Sequence, residues 1–67
     1  MLNEQDKAAL RELLQRNGAR SLMAALAAQV EALARHEDDA GNRLRACALG
    51  ADAKAIARVA PRMWSQR

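Results

Sequence analysis

Between Leu22 and Ala34 the chain reads LMAALAAQVEALA, six alanines against five larger apolar side chains, and that ratio limits what it can fold into. Over all 67 residues, 17 are Ala, while nine Leu, three Met, two Val, one Ile and one Trp supply the bulky apolar groups and Cys47 completes the set. A chain this short buries only about 60% of the surface its unfolded form exposes. With half of its apolar residues reduced to a methyl group, one copy has little to place in a core. Small proteins in this position add disulfides, a structural metal or a second subunit. One cysteine and one histidine exclude the first two as devices within a single chain. Oligomerisation is therefore expected to complete the interior.

The same composition selects helix. With no Phe, no Tyr, one Ile and two Val, little favours a pleated sheet, whereas Ala, Leu, Arg, Glu and Gln are strong helix formers. The expectation is an all-α fold in one domain, residues 1–67, with helices at about 4–16, 19–36, 39–49 and 52–60 and a tail over 61–67. Asn3 is placed to cap the first helix, with Glu4 and Asp6 at the positive end of its dipole. Asn17-Gly18 ends it, and so short a connection predicts an antiparallel hairpin between the first two helices.

In the second helix, Leu22, Leu26, Val30 and Leu33 fall on one face. Ala24, Ala25, Ala28 and Ala32 form another, where small side chains let a neighbouring backbone approach; Ala25, Ala28 and Ala32 are the expected self-association surface. Glu37, Asp38 and Asp39 oppose the dipole at a helix end and support it at a helix start, which puts a boundary near Asp38 or Asp39. Gly50 reads as a break, Asp52 as a cap, and Pro61 as the stop of a last helix through Ile56 and Val59. The expected core is Leu10, Leu13, Leu14, Leu22, Leu26, Val30, Leu33, Leu44, Ile56 and Val59. The fold class is then a helical hairpin plus one or two further short helices, a small bundle completed by oligomerisation.

No catalytic, cofactor or metal site is expected. His36-Glu37-Asp38-Asp39 is not the H-E-x-x-H zinc motif, since residue 40 is Ala. Cys47 lies eleven residues from His36 with nothing to mark an orienting group or an oxyanion site, and reads as an inert, buried or half-buried thiol. Gly18, Gly41 and Gly50 stand apart, so no phosphate-cradling loop forms. The start, MLNEQDK, lacks a basic segment followed by an apolar run, and the longest uncharged run, Ser21 to Val30, is ten residues. No signal peptide or membrane span is expected, and a single unpaired cysteine suits a reducing cytoplasm.

Charge is distributed unevenly. Residues 1–39 carry five Lys or Arg against seven Asp or Glu, and residues 40–67 carry six against one. Lys54, Arg58 and Arg62 recur every four residues and align as a ridge if the backbone stays helical past Pro61. Such a ridge can meet phosphates or an acidic protein surface. One Trp with no Tyr or Phe offers little to stack on bases, which favours protein. Trp64, beside Arg62 and Met63, has the composition of an interface anchor, so Lys54, Arg58, Arg62, Met63 and Trp64 are the expected partner surface.

LLQRNGARSLMAALA, Leu13 to Ala27, resembles the L-L-x-x-x-G-x-x-x-[LV]-x-x-A-L-A pattern of small, mostly uncharacterised helical proteins of bacteria and their phages. The resemblance covers about a quarter of the chain and implies a compact accessory protein that binds a larger one. The expectation is a non-enzymatic, stoichiometric regulator, inhibitor or assembly factor, a homodimer or higher oligomer, without cofactor. The alternative is a nucleic-acid-binding accessory protein using the basic C-terminal half.

Overall fold

The computed structural model describes residues 1–65, and every regular element in them is helical. Helix α1 spans Glu4–Asp39, helix α2 spans Arg43–Val59, and a 3₁₀ turn, Ala60–Arg62, follows directly. Asn3 caps α1 as its residue type predicts: its side-chain oxygen accepts from the Asp6 N–H at 2.7 Å. Among the described residues no helix is long and apolar enough to cross a membrane.

Gly18 interrupts α1 at φ 79° and ψ 163°, a combination essentially confined to glycine. One residue before the break, the Asn17 side-chain amide donates to the Leu13 carbonyl at 2.9 Å. A straight helix of 36 residues would reach about 54 Å; the longest dimension of the molecule is 40 Å, so α1 is bent. The bend does not create the expected hairpin of the first two helical segments. Every residue from Met1 to Asn17 is exposed, so the N-terminal segment buries no residue against the second. A single glycine redirects a helix without supplying the chain needed to fold it back.

The hairpin forms one connection later. Gly41, at φ 89°, follows α1 and allows a tight reversal: the Asn42 N–H donates to the Glu37 carbonyl at 2.8 Å and the Gly41 N–H to the Asp38 carbonyl at 3.0 Å. This pair of bonds is the Schellman motif, which satisfies carbonyls left open at a helix end. Glu37, Asp38 and Asp39 thus close α1 and do not open the next helix, against expectation. The unfavourable dipole is offset at Glu37, whose carboxylate accepts from Asn42 Nδ2 at 2.7 Å and pairs with Arg45 Nε at 3.4 Å.

The expected helices 39–49 and 52–60 are one helix. Gly50 lies inside α2, where neighbouring alanines and Leu49 carry helix propensity across it, and Asp52 caps nothing. Pro61, with no N–H to donate, sits in the 3₁₀ turn that tightens the end of α2.

Where α1 and α2 meet, the buried residues are alanines: Ala27 and Ala34 from α1, Ala53 from α2, and Ala60 just beyond it. This corrects the expected core. Leu10, Leu13, Leu14, Leu26, Leu33, Leu44 and Val59 are exposed, Leu44 at 91%, and Leu22, Val30 and Ile56 are half-buried. Two helices touching along a line of methyl groups displace bulkier side chains to the flanks, where among the described residues none of them is buried. The principal dimensions are 40 × 27 × 14 Å.

Candidate interaction surfaces

The flat hairpin has two unlike sides. At 100° per residue, Leu22, Leu26 and Leu33 lie roughly a third of a turn to one side of the Ala27–Ala34 contact line, and Ala24, Ala28 and Glu31 lie on the other. Ala24, Ala28 and Glu31 join Gly50, Lys54 and Ala57 of α2 along an open groove of about 480 Å³, which fixes which flank of α2 shares that side. The opposite flank of α2 carries Leu49, Ile56 and Val59, so the leucines of both helices share one face. Leu44 points away from both.

The end of the chain is tied to the bend in α1. The Arg20 N–H donates to the Trp64 carbonyl at 2.8 Å, and Arg20 Nε donates to the Met63 carbonyl at 3.3 Å. The bend accounts for this contact, because it strips amides at the start of the second segment of their partners one turn back. Met63 is half-buried, but the Trp64 side chain is 64% exposed and does not seal the end of the core.

Lys54, Arg58 and Arg62 are exposed and make no ion pair among the described residues. The pairs that do form, besides Arg45–Glu37, are local to α1: Lys7–Glu4 at 3.6 Å and Arg35–Glu31 at 3.0 Å, both largely exposed and of little energetic weight. The basic half of the chain therefore keeps its field open to solvent. Ala25, Ala28 and Ala32 are exposed on α1.

Among the described residues no group of three or more His, Cys, Asp or Glu could hold a metal ion. Cys47 is exposed, where a buried or half-buried thiol was expected. It borders a shallow depression with Glu31, Arg35 and Asp38. Sequence reasoning missed Arg20, Glu37, Gly41 and Asn42, which shape the bend and the reversal, and it left Leu49 out of the apolar set. Gly41-Asn42 after a helical run was the available signal for a helix stop; nothing local marks Arg20 as the anchor of residues more than forty positions away. No protein-family model matches the chain, and comparison with curated proteins and with solved structures gives no significant match.

Proposed function

We propose that the chain is a small non-enzymatic protein-binding module that acts stoichiometrically on a larger partner, as a regulator, inhibitor or assembly factor, and works as a homo-oligomer. The observation that supports this most is Trp64, exposed in its side chain while its backbone is held by Arg20. An aromatic residue on a fixed backbone loses little freedom when a partner covers it, and Trp beside Arg and Met is a frequent interface anchor. Lys54 and Arg58 on α2 and Arg62 in the 3₁₀ turn are exposed on the chain leading to it, so the complementary surface is acidic. The cations steer encounter and select the partner; Trp64 and Met63 supply most of the affinity.

Capture of the partner from the native host by the immobilised chain, followed by binding measurements on the purified pair, tests this reading. One protein should be retained in fixed ratio. Trp64→Ala leaves the main-chain bond to Arg20 in place and should weaken binding about thirtyfold, corresponding to about 2 kcal/mol. Charge reversal at Lys54 and Arg58 should mainly slow association, with a loss that shrinks as salt rises. Equal capture by all variants would contradict the proposal. Retention of nucleic acid with affinity falling steeply in salt would replace it with the alternative role.

A further inference from the structure

On the side of the hairpin bearing Leu22, Leu26, Leu33, Leu49, Ile56 and Val59, none of these residues is buried among the described residues, Leu26, Leu33 and Val59 are exposed, and residues 4–17 of α1 carry an exposed stripe of Leu10, Leu13 and Leu14. We infer that these surfaces cover each other between two copies: the N-terminal segment of each chain lies along the leucine side of the other, reciprocally, in a two-fold dimer. This rests on the homo-oligomer of the proposed function and specifies its contact, without involving Trp64.

The area is of the size a dimer needs. A compact monomer of this mass exposes about 4,200 Å², whereas this chain exposes 5522 Å². The excess, roughly 1,300 Å² per chain, exceeds the 800 Å² or so per partner of a standard interface and falls in the obligate range. The radius of gyration, 13.4 Å, likewise exceeds the roughly 11 Å of a compact chain of this length.

The N-terminal segment needs the contact as well. Isolated helices of up to about 15 residues are marginal in water, and no residue of 4–17 is buried in its own chain. Their length, about 21 Å, matches the span of α2, about 26 Å. Glu4, Asp6 and Glu12 balance Lys7, Arg11 and Arg16, so the segment meets a positively charged hairpin without net repulsion. Every residue of the segment is exposed in its own chain, which leaves its apolar stripe open to a second copy. Ala25, Ala28 and Ala32, the expected contact residues, offer only methyl groups by comparison.

Sedimentation equilibrium of the full chain, with a mixed-label magnetic resonance experiment, tests this. The wild type should sediment at twice the chain mass, and Leu10→Glu/Leu13→Glu at the chain mass. Because that variant could instead fail to fold, a nitroxide is placed at Gln15→Cys in a Cys47→Ser chain, and this is mixed with ¹⁵N-labelled wild type. Broadening of labelled amides around Leu26, Leu33 and Ile56 is expected, and it can arise only between copies. A monomer at high micromolar concentration overturns the dimer, as does broadening confined to the Ala24, Ala28 and Ala57 side. A monomer that still binds its partner through Trp64 defeats this inference and the homo-oligomer it rests on, and leaves the protein-binding role standing.

Discussion

Glu37 and Asn42 are joined twice: the Asn42 N–H donates to the Glu37 carbonyl at 2.8 Å, and Asn42 Nδ2 donates to the Glu37 carboxylate at 2.7 Å. Together they clamp the reversal between α1 and α2, with Arg45 as a third, more exposed partner. Glu37 is the one charged residue buried among the described residues, and its removal costs the charge-assisted bonds from Asn42 and Arg45, which are themselves exposed. Glu37→Ala should destabilise the fold by about 1–3 kcal/mol. Asn42→Ala should cost about 1 kcal/mol, and the two together less than the sum. Urea midpoints at one fixed chain concentration measure all three; additive losses would show that the side-chain bond contributes nothing.

Gly18 holds a conformation that a Cβ resists. Gly18→Ala should cost about 1–3 kcal/mol or drive α1 toward a straight helix, which separates Arg20 from the carbonyls of Met63 and Trp64. Trp64 fluorescence and urea midpoint report the change together. Unaltered emission and stability would mean that the bend does not position the tail.

Gly50 and Ala53, both small residues of α2, respond oppositely to enlargement. At Gly50 nothing lies within 4 Å of an added Cβ, so Gly50→Ala should stabilise α2 by about 0.5–1 kcal/mol through helix propensity. Ala53 is buried at the helix contact, and Ala53→Leu should cost about 1–3 kcal/mol by overpacking. Thermal unfolding followed at 222 nm separates the two, and a stabilising Ala53→Leu would refute the close approach of the helices.

The sequence makes some of this legible and hides the rest for physical reasons. Helix class, the Asn3 cap and the break at Gly18 follow from local chemistry, which acts within a turn or two. The shortage of bulky residues predicts a thin core, and the buried apolar residues are alanines, Ala27, Ala34, Ala53 and Ala60. The partner of each helix was misassigned because periodicity identifies an apolar stripe without saying what covers it; Leu22, Leu26 and Leu33 form the stripe, yet Ala27 and Ala34 meet α2. Gly50 looks like Gly18 in sequence, but the first lies in a helix and the second breaks one. The alanines and Leu49 around Gly50 carry the helix across it, and no single-residue rule contains that context.

The central claim is that a solitary chain lacks an interior and that a second polypeptide completes it. Circular dichroism at 222 nm over a dilution series, from high micromolar to nanomolar chain, tests it most directly. Helicity and melting temperature should both fall on dilution, as they do when assembly and folding are linked. A helicity and a cooperative melt that do not change across the whole range would contradict the account.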